Sequence, residues 1–248
     1  MKELKDQKLA ALVLLKPGIA DVFEKYKLDF CCRGKRTLEE ACIQQGVELE
    51  VVLEELGTEM KKNGQSKIDF GKLSPIELCN YIKAAHHTYV RQKLPGITAH
   101  TEKVALRHGD LYPELEVIAE KWKLVAEDLI AHMIKEEHIL FPFVEKVQKC
   151  FDAGESFQLP EEEFISNPIR EMENEHEHAG DLMAEIRELT NDYTPPEEAC
   201  TTWRLLFSEL KEFEEDLHRH VHLENFLLFP KALEMERAVF KSQKAVQD

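Results

Sequence analysis

Apolar residues recur along most of this chain at intervals of three and four, and no segment with the two-residue period of a strand is flanked by hairpin turns. Helix-start signals punctuate the pattern. Ser74-Pro75-Ile76-Glu77 combines an N-cap serine, a proline at the first helical position and a capping-box glutamate. Asn167-Pro168 and Thr194-Pro195-Pro196-Glu197 repeat the device, and Pro113 opens a further stretch. Four long helices are predicted, over residues 75 to 97, 113 to 149, 168 to 190 and 195 to 238. Short connections make them an antiparallel four-helix bundle, with a longer excursion, residues 150 to 166, between the second and third.

A different unit precedes the bundle. Residues 61 to 72 (KKNGQSKIDFGK) are polar, carry two glycines and read as a linker. This leaves 1 to 60 as a small helical domain and 73 to 248 as the bundle, an all-α chain. Thr37-Leu38-Glu39-Glu40 is another capping box, so DFCCRGK, with its vicinal Cys31 and Cys32, lies on the loop that enters a helix. Leu9 to Leu15 (LAALVLL) loosely imitates a signal peptide. Glu3 and Asp6 among the lysines, the short apolar run and the interrupting Lys16 favour a core helix instead.

Within the bundle the apolar seams contain polar residues where leucine is expected. Residues 132 to 142 (HMIKEEHILFP) and 220 to 230 (HVHLENFLLFP) align without a gap as H-x-x-x-E-x-x-[IL]-L-F-P, which suggests two halves facing across an approximate twofold. Histidine and glutamate four apart share one face of a helix. The second seam runs Trp122, Val125, Leu129, His132, Glu136, Leu140, Phe143, Val147, and the fourth Leu206, Leu210, Phe213, Leu217, His220, Glu224, Leu227. The third places His176 among Ile169, Met172, Ala179, Met183 and Ile186. On the first helix Ile76, Val90, Leu94 and Ile97 share the phase of His87, whereas Leu78, Ile82 and Tyr89 share that of His86, so periodicity leaves both open. Residues two apart on a helix face different ways, so His178, His218 and His222 are expected in solvent with His100, His108 and His138.

Ionised carboxylates on an apolar seam require pairing or coordination, and no lysine or arginine shares these stripes. Metal coordination resolves the conflict. Four imidazoles and two carboxylates able to bridge, without thiolate, suit a dinuclear transition-metal site, with iron first and manganese second. A ferritin-like Glu-x-x-His arrangement would use Glu173 with His176 and Glu215 with His218, but Glu215 and His218 miss the fourth seam.

Composition narrows the partners. With 48 acidic against 32 basic residues the net charge is −16, which repels nucleic acid and anionic membranes. No stretch approaches a membrane span. Six scattered cysteines, including a vicinal pair, fit a reducing, cytoplasmic compartment better than a disulfide framework. Arg33, Lys35, Arg36 and the following helix N-terminus are expected to lower the thiol pKa of Cys31 and Cys32, readying them for disulfide exchange or for soft iron species.

The segments DFCCRGKRTLEEAC, HHTYVRQKLP, HMIKEEHILFP, ENEHEHAG, TPPEEACTTW and HVHLENFLLFP together resemble the repair of iron centres family over essentially the whole chain. That resemblance implies a hemerythrin-like bundle with a non-haem di-iron centre, oxo- and carboxylate-bridged, behind a small domain with a vicinal cysteine pair. It implies the ligands His87, His132, Glu136, His176, His220 and Glu224, and selects His87 because the family's first histidine stands eight residues before the proline of the LP pair. It implies repair of iron-sulfur clusters after oxidative or nitrosative damage, client iron-sulfur proteins as partners, nitric oxide or oxygen as small ligands, and a homodimer. Reduction of nitric oxide, or carriage or sensing of either gas, is the alternative. Family members often read CCGGK where this chain has Arg33 in place of a glycine.

Overall fold

The computed structural model describes residues 4–62, 68–155 and 164–244, with side chains as far as Val239. Parts of the predicted linker (61 to 72) and of the excursion (150 to 166) therefore lie outside the described residues. Among the described residues the chain is helical with no strand, the predicted all-α class. No helix is long and apolar enough to cross a membrane.

Four short helices come first: α1 (Leu9–Leu15), α2 (Ile19–Lys25), α3 (Leu38–Gln45) and α4 (Leu49–Lys61). The LAALVLL run forms α1 and buries Leu9, Leu12 and Val13. The predicted capping box starts α3: the Glu40 amide donates to Thr37 Oγ1 at 3.2 Å, and the Thr37 amide donates to Glu40 Oε2 at 2.9 Å. Gly46, at φ +70°, ends the helix in the left-handed conformation that glycine adopts without strain. Thr37→Ala removes one side of this exchange. It is expected to lower stability by about 1 kcal/mol, read as a shift in the urea midpoint with an unchanged slope.

The bundle follows. Pro75–Ile82, Lys83–His87 and Thr88–His108 run on as one helix, α5; Glu114–Lys135, Glu136–Leu140 and Phe141–Ala153 form α6; Ser166–Leu189 is α7; and Thr201–Leu223, Glu224–Leu228 and Phe229–Lys244 form α8. The middle segments of α5, α6 and α8 are π turns, each of which inserts one residue and rotates everything after it. Helix α5 continues past 97 to His108 because Pro95 lies on its exposed side, where the unpaired carbonyl it creates meets water. Helix α8 starts at Thr201 rather than 195. Asn191, Asp192 and Tyr193 are all left-handed, and Arg204 binds the carbonyls of Pro196, Glu197 and Ala199 to hold the TPPEE segment as a turn.

Two apolar clusters fill the molecule. The larger joins Leu9, Phe23, Phe30 and Leu56 of the N-terminal helices to Trp122, Leu129, Met183, Phe213 and Leu217 of the bundle. The smaller gathers Leu78, Ile82, Phe141, Ile169, Met172 and Phe229. Along each bundle helix the predicted polar seam residues fall between the two.

Candidate metal centre

The six seam residues meet in the polar layer between the clusters. His87 comes from the π turn of α5, His132 and Glu136 from α6, His176 from α7, and His220 and Glu224 from α8. Each is at most 2% exposed. Both glutamates lie at the start of a π turn, a feature that recurs at functional sites because it redirects side chains without breaking the helix.

The donors form two groups of four. One is His87, Glu136, His220 and Glu224, the other His132, Glu136, His176 and Glu224, and within each group the ligand atoms lie within 4.8 Å of one another. Both glutamates belong to both groups. Glu136 Oε2 is 3.2 Å from His87 Nε2 and 3.3 Å from His132 Nε2, while Glu224 lies 3.1 Å from His176 Nε2 and 3.0 Å from His220 Nε2.

Of these four contacts only that of His220 Nε2 with Glu224 Oε1 has the alignment of a hydrogen bond. His87 Nε2, both oxygens of Glu136, Glu224 Oε2 and His220 Nδ1 have no aligned partner although all are buried. Such orphaned groups are costly, and converging lone pairs are what a cation requires. The outer nitrogens explain the direction of these lone pairs. His87 Nδ1 faces Glu137 at 2.6 Å, His132 Nδ1 faces Glu175 at 2.8 Å, and His176 Nδ1 faces the oxygen of Asn225 at 2.9 Å. Each partner is an acceptor, so Nδ1 carries the proton and Nε2 presents its lone pair inward. His132 Nε2 and His176 Nε2 then oppose each other as two acceptors 3.1 Å apart, an arrangement that only a proton or a metal ion reconciles.

Electrostatics agree. Burial alone would push the His132 imidazole down, yet Glu136 and Glu175 outweigh it and carry it up to about 10. Burial likewise opposes ionisation of Glu224, but His220 and His176 hold it well below the usual carboxylate range. Without a metal the cluster draws protons onto His87 and His132, whereas burial holds the His220 imidazole down. A cation of hard or borderline character fits the same N and O donors.

The structure places His87, not His86, in this cluster. His86 is also buried, stacked on His220 at 5.4 Å with Nδ1 3.0 Å from Asp216, but it belongs to neither group. His138 and His178 are exposed, as expected, and His100 and His108 are half-buried. His218 and His222 overturn the expectation of solvent. Their face of α8 is covered by the N-terminal helices: His218 Nδ1 lies 2.7 Å from Glu24, and His222 Nδ1 donates to the Phe30 carbonyl at 3.2 Å. Both rings meet the Phe30 ring edge-on.

The cysteine pair sits at this same seam. Cys31 is buried and Cys32 half-buried, with their sulfurs 3.7 Å apart. Cys32 Sγ lies 3.5 Å from the backbone carbonyl of His176, and a Cβ at Gly180 would crowd it at 3.1 Å. The expected lowering of the thiol pKa fails for Cys31. Burial, the neighbouring Cys32 sulfur and Asp29 all push it up, while Arg33 turns to Asp181 and Arg36 to Gln44.

Sequence reasoning missed Glu137, Glu175 and Asn225. Each is a polar neighbour of a seam residue, at the adjacent position in the chain, and that adjacency was the available signal.

Comparison with known proteins follows the two-part layout. The model of the Hemerythrin HHE cation binding domain matches residues 82–232, and that of a domain of unknown function (DUF542) matches residues 5–59. The chain is 37% identical over 238 residues to the iron-sulfur cluster repair protein YtfE of Cronobacter sakazakii, covering 94% of this chain and 99% of that protein. It is 36% identical to the protein of that name from Dickeya chrysanthemi (94% and 99% covered) and 34% identical to that from Escherichia coli (92% and 97% covered).

Proposed function

Because the chain belongs to the hemerythrin HHE cation-binding family, we propose that it is an iron-sulfur cluster repair protein that supplies iron to damaged client proteins. Full-length relatives carrying that name support the activity. The observation that carries the mechanism is the sharing of Glu136 and Glu224 between two groups of donors.

On this reading the bundle would hold two iron ions. His87 and His220 would serve one, His132 and His176 the other, with Glu136 and Glu224 available to both. Bound there, the pair would supply redox-active iron in a form the protein can release. The chain's own residues set its lability. Glu137, Glu175 and Asn225 orient three of the imidazoles, whereas His220 Nδ1 has no such partner. Protonation of His132 competes with the metal, since without a metal it holds its proton up to about 10. All six cysteines are free, which supports a reducing, cytoplasmic setting.

The test is restoration of a client. A purified iron-sulfur enzyme stripped of its cluster is incubated with cysteine desulfurase, cysteine and the iron-loaded protein, and recovered activity is followed. Recovery is expected to exceed that given by the same amount of free ferrous salt. Equal recovery with the salt would reject the proposal.

A further inference from the structure

Outside these six residues, one further cluster of metal-binding side chains among the described residues remains without a role. Asp29, Cys31 and Cys32 bring a carboxylate and two thiols within 4.8 Å of one another. The loop builds this cluster actively: Asp29 Oδ1 accepts the backbone amides of Cys31 at 3.0 Å and Cys32 at 2.9 Å, which wraps the chain around the carboxylate and turns both sulfurs to one side.

The spacing matches tetrahedral coordination. For thiolates about 2.3 Å from a tetrahedral metal, the two sulfurs lie about 3.8 Å apart, and a sulfur and a carboxylate oxygen about 3.5 Å apart. The observed distances are 3.7 Å between the sulfurs and 3.3 Å from Cys31 Sγ to Asp29 Oδ1. Neither Arg33 nor Arg36 is turned to the sulfurs, and the charge that acts on the Asp29 carboxylate is His218, which lines the same cavity. Three donors leave a fourth position, and a cavity of about 480 Å³ lined by Asp29, Cys31, Cys32, Glu177 and Gly180 adjoins the cluster. Closed sites hold structural metals, whereas open sites exchange ligands.

We propose that Asp29, Cys31 and Cys32 form a second, open site for one divalent metal ion of borderline softness. Resting on the repair reading above, its cargo is ferrous iron passing to or from the hexad. Its position supports this, because Cys32 packs against the carbonyl of His176, itself a hexad residue. Binding exchanges the two thiol protons for the metal ion, with no change of oxidation state.

Cobalt(II) tests the site on the full-length, iron-loaded protein with thiols kept reduced by a phosphine. Thiolate ligands give cobalt an intense near-ultraviolet charge-transfer band that nitrogen and oxygen ligands do not. One equivalent is expected to develop the band, and ferrous iron is expected to bleach it. Cys32→Ser should abolish it, and Asp29→Asn, which keeps an acceptor for the two amides, should weaken cobalt affinity at least tenfold. Absence of the band in the unsubstituted protein, or its persistence in Cys32→Ser, would overturn the site. Bleaching by zinc but not by ferrous iron would overturn the iron assignment. The same titration on Glu136→Leu separates this proposal from the hexad's, because the band should survive there whatever becomes of the bundle metal.

Discussion

Glu136→Leu is expected to yield a folded protein that retains less than one iron per chain after dialysis, against two in the unsubstituted protein. The reason is that Glu136 belongs to both donor groups, so its loss would weaken the hold on both of the proposed ions at once. Replacing an imidazole would remove a donor from one group only. Leucine matches the apolar seam on either side, but in the metal-free fold its introduction removes one partner of a buried ion pair, because Glu136 favours the protonated forms of His132 and His87, and that loss is destabilising. Circular dichroism separates ligand loss from misfolding: the metal-free variant should keep the helical signal of the metal-free parent although it melts lower. Glu137→Gln offers a graded comparison, since it keeps a hydrogen bond to His87 Nδ1 but removes the charge, and should weaken metal binding about 10- to 100-fold. Metal analysis with Mössbauer spectroscopy reads number, valence and coupling together. Two coupled irons per chain in Glu136→Leu would refute the bridging role.

The π turns explain why some of this was legible in the sequence and some was not. Upstream of each turn the seams follow a plain α period, so Leu129, His132, Glu136, Phe213, Leu217, His220 and Glu224 stand where their spacing puts them. Downstream the inserted residue shifts the phase. Phe141 and Val144 are buried where the straight period pointed to Phe143, and Leu228 joins Leu227 in the core. The ambiguity of the first helix has the same origin. Leu78 and Ile82 lie before its π turn in the phase of His86, Val90, Leu94 and Ile97 after it in the phase of His87, and all five are buried. Two competing periods on one helix were the trace of an inserted residue. His218 and His222 went astray differently. Helical spacing shows which residues face away from the bundle seam, but a second packing surface on the same helix depends on how distant parts of the chain dock, here Glu24 and Phe30.

That docking should weaken in alkali. Burial would lower the His218 pKa, but the facing Glu24, with Glu214 and Asp29 beyond it, carries it up to about 9. Glu214 is itself held by Arg187 and Tyr193, which leaves Glu24 as the direct partner. A histidine with a folded-state pKa above its ordinary 6.5 contributes its full stabilisation below about pH 6.5 and loses it as the pH rises through about 9. The shift corresponds to about 3 kcal/mol, and both side chains are well shielded, at 11% and 15% exposure. Denaturation of the protein and of His218→Gln at pH 6 and pH 9.5 isolates this contribution from the titration of His132 and Cys31, which both proteins share. Glutamine can still donate to Glu24 but carries no charge. The unsubstituted protein is expected to lose about 2 to 3 kcal/mol more than the variant over this interval; parallel losses would show that the His218–Glu24 pair does not hold the N-terminal helices to the bundle. Because Phe30 packs against both His218 and His222 and leads directly into Cys31, His218→Gln should also alkylate faster at Cys32 at pH 7 than the unsubstituted protein.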